Sequence, residues 1–371
     1  MAEHIFTGFG FGPIQAGLFV AEAFKSGNFG KIVIAEIDQK LVDAVRANNG
    51  SYIVNIAGFD GIKQAEIKGI EIYNPSDCND RLKLLDTLLE STEIITSLPS
   101  VNFYYTGENS VAQLIASGIN SHRKKSAIIY TAENNNHAAE ILAEAVEGKL
   151  KTHLPQNVQF LNTVIGKMSH VVTDKNEIQQ KNLNTIAPGV DRAFLIEEFN
   201  KILVTKCHIS NFKPGIEVFI EKEDLLQFEE AKLYGHNAIH ALLAYLGAQK
   251  DYKKMAELKN DKEIMQIARD AFINESGAAL IKKYAHLKDD LFTEEGYRAY
   301  AEDLLERMTN LHLDDTIERA ARDPQRKLGE NDRIFGTIKL AKEYGIEPVN
   351  MAKAAEAGIK YFEALKKIKS K

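Results

Sequence analysis

Cysteine is scarce in this chain of 371 residues, which contains only Cys78 and Cys207. Two isolated cysteines predict neither a disulfide framework nor a cysteine-based zinc site, and they are typical of a reducing compartment. The sequence also lacks an apolar run of about 18 residues, the length needed to span a membrane. Its apolar start, MAEHIFTGFGFGPIQAGLFV, has neither the basic region nor the cleavage site of a signal peptide. We therefore expect a cytoplasmic protein without membrane contact.

Positive charge is not in excess either. The chain has 46 Lys and Arg against 52 Asp and Glu, a net charge of −6. Nucleic-acid-binding proteins normally carry a basic face, so we expect no nucleic-acid partner. The hydrophobic content of 44% and the charged content of 26% are ordinary for globular proteins. A chain of this length predicts two domains, or one enlarged α/β domain with an appendage.

The first part of the chain alternates short apolar runs with amphipathic stretches, as expected for a parallel sheet covered by helices. Residues 50–90 fit this alternation less well and are interpreted as an antiparallel excursion. Strands are predicted at HIFTGFG, KIVIAEID, TEIITSL, SAIIYTAEN and VIGKMSHVV, and helices at IQAGLFVAEAFKSG, QKLVDAVRANNG, VAQLIASGINSHRKK and HAAEILAEAVEGKL.

The distribution of proline predicts the domain boundary. None of the eight prolines lies within residues 215–323, a stretch rich in Ala, Leu, Glu and Lys with helical periodicity. We therefore assign residues 1–222 to an α/β domain with a parallel sheet and residues 223–371 to a mostly α-helical domain.

The stretch TGFGFGPIQAG follows the first strand and opens a helix. Gly8, Gly10 and Gly12 allow a tight turn and a close approach of the backbone to a pyrophosphate, next to the positive end of the helix dipole. Glu36 ends the second strand, where dinucleotide-binding folds place the acid that binds the ribose hydroxyls. Its carboxylate disfavours a 2′-phosphate. We therefore predict a Rossmann-like domain that binds NAD, although chance glycines at a turn and a surface Glu36 remain the alternative.

The stretch KLYGHNAIH, from Lys232 to His240, contains several groups that can handle protons. On an α-helix at 100° per residue, Lys232, His236, Asn237 and His240 fall within an arc of about 140°. The two histidines resemble a zinc-protease helix, but Asn237 stands where the glutamate is required and no third ligand is evident. A surface helix with one buried histidine is the plain alternative. Alcohol oxidation by NAD, however, needs a base and neutral donors, and lysine and asparagine supply them.

The order of lysine, four residues, asparagine, two residues and histidine resembles the signature helix of the polyol-specific long-chain dehydrogenases, the mannitol dehydrogenase family. The stretches ESGAALIKKY and ERAARDPQRKLGENDR are similar to the C-terminal domain of this family. The resemblance implies that Lys232 is the catalytic acid/base, that Asn237 is an oxyanion donor and that His240 lies beside the substrate. In TAEN, Asn134 matches the second donor of the family.

The resemblance also implies the residues that bind the substrate. Arg319 and Lys327 match basic residues that line the substrate cleft, and Arg326 stands beside Lys327 as in the members that act on phosphates. A guanidinium suits bidentate phosphate binding, although a plain surface arginine is the alternative.

The chain departs from the family in two respects. The Arg-Gly pair that usually follows the glycine loop is replaced by PIQAG, and His236 has no counterpart and is treated as incidental. The stretch TSLPS falls where such enzymes pass the cofactor, so Ser97 and Leu98 are expected to touch the nicotinamide side.

These expectations describe a metal-independent oxidoreductase with NAD as its cofactor and a small sugar phosphate or polyol as its partner. The expected reaction interconverts a hexitol phosphate and a ketohexose phosphate, mannitol 1-phosphate and fructose 6-phosphate in the first place. The alternative of the same class acts on an unphosphorylated polyol or a hexuronate. A non-catalytic NAD-binding protein and a zinc hydrolase are the alternatives of other classes.

Overall fold

The computed structural model describes residues 4–120 and 123–369. The chain divides between Leu225 and Leu226 into two units, close to the boundary that we placed after residue 222. The first unit is an α/β structure and the second is helical, so the predicted fold class is confirmed.

The described strands of the first unit form two sheets. The larger sheet has the order β12-β11-β8-β7-β6-β1-β2-β5 and the smaller one the order β4-β3-β10-β9. The six strands from β8 to β5 are parallel to their neighbours, whereas β11 runs antiparallel to β8. The strands are β1 (His4–Phe9), β2 (Phe29–Ala35), β3 (Tyr52–Ala57), β4 (Ile62–Ile67), β5 (Glu71–Tyr73), β6 (Glu93–Thr96), β7 (Ala127–Thr131), β8 (Val158–Ile165), β9 (Ser169–Val172), β10 (Ala193–Glu197), β11 (Ile202–Thr205) and β12 (Phe219–Lys222).

Both faces of the larger sheet are buried, which explains why its central strands read as continuous apolar runs. Because side chains alternate along a strand, Ile95 and Ile128 enter one core and Ile94 and Ile129 enter the other. The helices of this unit are α1 (Ala21–Ser26), α2 (Gln39–Ala47), α3 (Cys78–Glu90), α4 (Val111–Gly118), α5 (Ala138–Leu150) and α6 (Lys175–Gln180), and a π-helical segment (Gln15–Val20) precedes α1.

The strand order places a crevice at the carboxyl end of β1. This strand lies between β2 and β6. The chain runs from β1 to β2 on one side of it and, after β5, crosses to β6 on the other side. In open α/β sheets, ligands bind at such a switch point. The loops that follow β1, β2 and β6 therefore meet at one edge.

Two predicted elements differ from the structure. The strand predicted for VIGKMSHVV is wrong, because β8 ends at Ile165 and β9 begins at Ser169 in the other sheet. Between them, the buried Lys167 donates to the Phe199 carbonyl (2.7 Å) and to Asn200 Oδ1 (2.6 Å), which anchors the segment where the chain passes from one sheet to the other. The helix predicted for VAQLIASGINSHRKK is shorter, since α4 ends at Gly118, and positions 121 and 122 lie outside the described residues. The antiparallel excursion is confirmed by the pairing of β3 with β4.

The second unit is built around a helix that is buried along most of its length, α8, which contributes Leu242 and Tyr245 to the core. Two π-helical segments, Ala231–Asn237 and Ala271–Gly277, interrupt its α-helices. None of the described helices of the chain is both long enough and apolar enough to cross a membrane. The helices of this unit are α7 (Leu226–Glu230), α8 (Ala238–Gln249), α9 (Lys262–Asp270), α10 (Ala278–Tyr284), α11 (Glu294–Met308), α12 (Ile317–Ala321), α13 (Pro324–Lys327), α14 (Phe335–Glu343) and α15 (Val349–Lys369).

Candidate active site

The turn after β1 requires glycine at position 10. Gly10 has a φ of +84° and donates its N–H to the Ala35 carbonyl at the end of β2 (2.9 Å). A Cβ at this position would lie 2.8 Å from the Ser97 carbonyl oxygen. The glycine therefore allows the loops after β1, β2 and β6 to approach one another closely.

The next glycine faces open space. A Cβ at Gly12 would meet no atom within 4 Å, and the helix begins at Pro13, a residue suited to the first helical position. The N–H groups of this first turn have no partner within the helix, which suits them to an anion. Gly8 differs, because it is buried in β1, where a Cβ would clash with the side chain of Gln15. Its role in the structure is packing beneath the loop.

A cleft of about 540 Å³ lies above this loop. Glu36 is at its edge and binds the loop directly, because Oε2 accepts from the Phe11 N–H (2.8 Å) and Oε1 accepts from the Asp38 N–H (2.8 Å). Each carboxylate oxygen keeps a further lone pair for a ligand hydroxyl. The lining residues are Phe9, Gly10, Phe11, Gly12, Pro13, Ile14, Ala35, Glu36, Ile37, Pro75, Ser97, Leu98, Pro99, Phe103, Thr106, Asn109, Val111 and Leu114.

Ser97 and Leu98 line the cleft through a contact that the sequence did not predict. The buried Glu133 accepts from the Leu98 N–H (2.8 Å) and from Thr96 Oγ1 (2.9 Å). It also accepts from the hydroxyl of Tyr104. Burial raises the pKa of this carboxyl, although the three hydrogen bonds oppose the shift. Glu133 therefore fixes the segment after β6.

Asn134 follows Glu133 and is exposed beyond the end of β7. Thr96 of β6 pairs with Thr131 of β7, so the two strands end side by side. Asn134 consequently lies at the carboxyl edge of the sheet, as predicted, and its role as an oxyanion donor stays a prediction.

In the second unit, Lys232 and Asn237 lie in one π-helical segment, Ala231–Asn237. Hydrogen bonds in such a segment join residues five positions apart, so these two residues lie above one another along its axis. The ammonium of Lys232 has no hydrogen bond or ion pair within residues 4–120 and 123–369. Burial and the charge of Arg333 lower the pKa of Lys232 to about 8, against the opposing effect of Glu229. This is the electrostatic environment that a lysine base needs.

His240 is held by a buried carboxylate. Its Nε2 lies 2.9 Å from Asp315 Oδ2, and Arg319 Nε donates to Asp315 Oδ1 (2.6 Å). Burial favours the neutral form of Asp315, but His240 and Arg319 hold the pKa of this carboxyl well below its ordinary value. Arg319, predicted to line the substrate cleft, thus also fixes the partner of His240.

His236 is buried beneath this group. Burial, His240 and Arg307 together hold the pKa of His236 well below its ordinary value, so its ring is neutral. The part of the chain that the structure describes has no cluster of three or more His, Cys, Asp or Glu side chains that could hold a metal ion. The zinc hypothesis therefore gains no geometric support.

The two predicted basic residues of α13 have different environments. Lys327 is buried, its ammonium donates to the Ala320 carbonyl, and burial with the charges of Arg333 and Arg326 lowers its pKa to about 7. Arg326 is half exposed and forms an ion pair with Asp323 (2.7 Å). Its position matches the surface-arginine alternative better than that of a buried phosphate ligand.

Sequence reasoning missed Arg333 and Asp315. Arg333 is buried, and Asp332 accepts from its Nε (2.8 Å). The acid at position 315 follows the preceding helix with no motif of its own. A signal for Arg333 was present, because it ends the quoted stretch ERAARDPQRKLGENDR.

Comparison with protein families is consistent with this geometry. Residues 224–367 match the family model described as the mannitol dehydrogenase C-terminal domain. These residues form a mannitol dehydrogenase C-terminal domain. The resemblance to the mannitol dehydrogenase family is thereby confirmed, and the signature helix, Asp315, Arg319, Lys327 and Arg333 all lie inside the matched domain.

Curated relatives extend the similarity over most of the chain. A mannitol-1-phosphate 5-dehydrogenase of Buchnera aphidicola subsp. Acyrthosiphon pisum is 29% identical over 364 residues, which cover 95% of this chain and 85% of the relative. A protein of the same name from Aureobasidium melanogenum is 28% identical over 343 residues, covering 91% and 81%.

Solved structures establish the fold of the whole chain. A D-sorbitol dehydrogenase in substrate-free form has a TM-score of 0.77 at 14% identity, covering 96% of this chain and 79% of that one. The mannitol 2-dehydrogenase of Pseudomonas fluorescens, in a ternary complex with NAD and D-mannitol, has a TM-score of 0.71 at 16% identity, covering 97% and 79%. This chain therefore shares its fold with both structures over nearly its whole length.

Proposed function

We propose that the chain is an NAD-dependent dehydrogenase that interconverts mannitol 1-phosphate and fructose 6-phosphate. The curated relatives named mannitol-1-phosphate 5-dehydrogenase support polyol dehydrogenase activity, and NAD is the nucleotide in the Pseudomonas complex. The observation that carries the proposal is the free, partly buried amine of Lys232, whose pKa is lowered to about 8, five residues before Asn237 in a π-helical segment.

The residues of the first unit fit NAD. The space above Gly12 is open to a pyrophosphate, and the first helical turn after Pro13 offers N–H donors to it. Glu36 stands at the end of β2 with free lone pairs for the ribose hydroxyls, and its charge disfavours the 2′-phosphate of NADP. When bound, NAD supplies the hydride acceptor for polyol oxidation.

The residues of the second unit supply the proton chemistry. Neutral Lys232 accepts the proton of the substrate hydroxyl during oxidation, and protonated Lys232 returns it during reduction. Asn237 donates an amide N–H to the oxygen on which negative charge develops. His240, oriented by Asp315, binds a neighbouring hydroxyl of the polyol. Asn134 is proposed as the second amide donor on the resemblance alone.

The basic residues support a phosphorylated substrate. Lys327 and Arg333 are both buried, and the charge of Arg333 helps to lower the pKa of Lys327, so an anionic ligand would favour the protonated form of Lys327. One observation keeps an unphosphorylated polyol or a hexuronate as the second candidate. Arg319 and Arg326 are already paired with Asp315 and Asp323, so a phosphate would have to compete for them.

The test is to mix the purified protein with NADH and fructose 6-phosphate, with free fructose and a hexuronate in parallel, and to follow the absorbance of NADH. Consumption of NADH only with fructose 6-phosphate supports the proposal. Consumption only with fructose or the hexuronate would support the same mechanism with an unphosphorylated polyol or a hexuronate as the substrate. Binding of NADH without turnover of any of the three would indicate the non-catalytic alternative.

A further inference from the structure

Arg333 is a buried arginine with free donors. The residue is 8% exposed, and one oxygen of Asp332, Oδ1, accepts both from its backbone N–H (2.7 Å) and from its Nε (2.8 Å). This double contact fixes the guanidinium. Its two terminal nitrogens have no hydrogen bond or ion pair among the residues that the structure describes.

The backbone around Arg333 is tied to the segment that carries Lys232. Thr337 Oγ1 lies 2.6 Å from the Arg333 carbonyl and 3.2 Å from the Tyr234 carbonyl, inside the π-helical segment. Gly336 packs on the ring of Tyr234, where an added Cβ would lie 2.7 Å from Cε1. These contacts fix the start of α14 relative to the segment that carries Lys232 and Asn237.

The same backbone is tied to Lys327. The N–H of Ile334 donates to the Lys327 carbonyl (3.3 Å). The charge of Arg333 therefore acts on two amines, the partly buried Lys232 and the buried Lys327. Asp332 offsets the charge of Arg333 only on the Nε side, and burying further basic groups near it costs free energy, so this arrangement favours an anionic ligand.

We propose that Arg333 binds the phosphate monoester of the substrate through its two terminal nitrogens, and that this contact couples substrate binding to the proton on Lys232. The inference rests on the proposed function and adds a residue to its site. A guanidinium fork matches two phosphate oxygens, which Lys327 as a point charge does not. Arg326, half exposed and paired with Asp323, is the poorer ligand.

The coupling follows from charge. The charged groups that act on Lys232 are Glu229, from the preceding helix, and Arg333, from the turn before α14, while the neighbouring His236 is neutral. A bound dianion cancels the positive potential of Arg333, so Lys232 holds its proton more strongly. Binding of the ketohexose phosphate therefore charges the acid that reduction needs.

The kinetic test compares pH profiles with fructose 6-phosphate. We expect the pKa seen in kcat to exceed the value of about 8 seen in kcat/KM. Arg333→Gln should raise the KM for fructose 6-phosphate at least tenfold, leave the KM for NADH unchanged and abolish the difference between the two profiles. Arg333→Lys, which keeps the charge without the fork, should recover part of the loss. Arg298→Gln, on the exposed face of α11, is the matched control and should change nothing.

A binding test does not depend on turnover. Sulfate is a dianion that does not titrate near pH 8, and calorimetry in two buffers of different ionisation enthalpy counts the protons that its binding takes up. We expect net uptake by the unaltered protein and none by Lys232→Ala or Arg333→Gln. Proton uptake in a protein that reduces no sugar would refute the proposed function but not the coupling. Absence of sulfate binding, or uptake that persists in Arg333→Gln, would overturn the inference.

Discussion

Three basic side chains of the second unit are partly or fully buried. Lys232, Lys327 and Arg333 are cations in places where burial penalises charge. Natural proteins keep such groups where their chemistry is needed, because each lowers stability when it has no partner. Glu93 is a buried carboxyl, so burial penalises its charge as well. It lies at the start of β6, whereas the cleft lies beyond the end of this strand.

The rate of polyol oxidation should depend on the protonation of Lys232. Because only the neutral amine accepts a proton and its pKa is lowered to about 8, kcat/KM should rise with pH and level off above about 8. Lys232→Ala should lower the rate by about 10²- to 10⁴-fold, the usual contribution of general acid–base catalysis. The exposed Lys282 provides the control, and Lys282→Ala should leave the profile unchanged. A pH-independent rate would show that lysine is not the base.

The stability of the chain should fall between weakly acidic and weakly alkaline pH because of Glu93. Burial raises the pKa of this carboxyl from 4.5 to about 8. The folded state therefore keeps a proton that the unfolded chain loses between these values, so the free energy of unfolding decreases as pH rises through this window. Glu93→Gln is neutral and keeps the oxygen that accepts from Gly215, so its Tm should fall less between pH 6 and pH 9.

Thermal unfolding at the two pH values measures this effect. The matched control is Glu144→Gln, because Glu144 is an exposed carboxylate on α5. Its Tm should follow that of the unaltered protein. Equal pH dependence in Glu93→Gln and the unaltered protein would mean that Glu93 is not the group responsible.

Among the helices, the π-helical segment Ala231–Asn237 sets the relative orientation of two predicted site residues, Lys232 and Asn237. In an α-helix, Lys232 and Asn237 would be separated by about 140° around the axis. The π geometry places residues five apart on nearly the same side, so Lys232 and Asn237 share one face of this segment. Such segments often occur at functional sites.

Removing one residue from this segment should restore α geometry and separate the two groups. We expect deletion of Ala231, which leaves Lys232 and Asn237 five residues apart, to lower kcat at least 100-fold, because in α geometry the base and the oxyanion donor no longer face the same oxygen. Ala231→Gly keeps the chain length and should retain activity within a few fold. Circular dichroism checks that both variants keep their helices. A deletion variant of normal activity would show that the π geometry has no catalytic role.

The elements that sequence predicted are those whose patterns are local. Strands β1, β2, β6 and β7 are continuous apolar runs because both faces of the large sheet are buried. The smaller sheet combines strands from distant parts of the chain, and no local pattern told β9 from β8.

The candidate site divides in the same way. Lys232, Asn237 and His240 follow from their spacing in one helix, whereas Asp315 contacts His240 from 75 positions away. Glu133 and Arg333 likewise act through contacts with segments that are remote in sequence. The π-helical segment could not be predicted from the sequence either, because a helical period alone does not reveal an inserted residue.

For the whole molecule, the net charge and the local charge have opposite signs. The chain carries −6, yet the second unit concentrates Arg319, Lys327 and Arg333 among residues of one domain. A negative molecule repels an anion at long range, whereas buried cations attract it at short range with little screening. Affinity for a phosphorylated substrate therefore depends on a local field that opposes the global one.

The dependence of KM on the salt concentration should test for this local positive field. Raising the salt concentration from about 50 to about 300 mM supplies anions that compete for the buried cations, so the KM for fructose 6-phosphate should rise several-fold. Screening of the net negative charge acts in the opposite direction and offsets only part of this rise. The KM for NADH, whose proposed site is in the first unit, should change less. Any activity on free fructose should be insensitive because that sugar has no charge. Sulfate should raise the KM more than chloride at equal ionic strength, since it matches the arginine fork. Equal sensitivity of charged and uncharged sugars would indicate that salt acts on the fold, and the basic residues would then have no part in choosing the substrate.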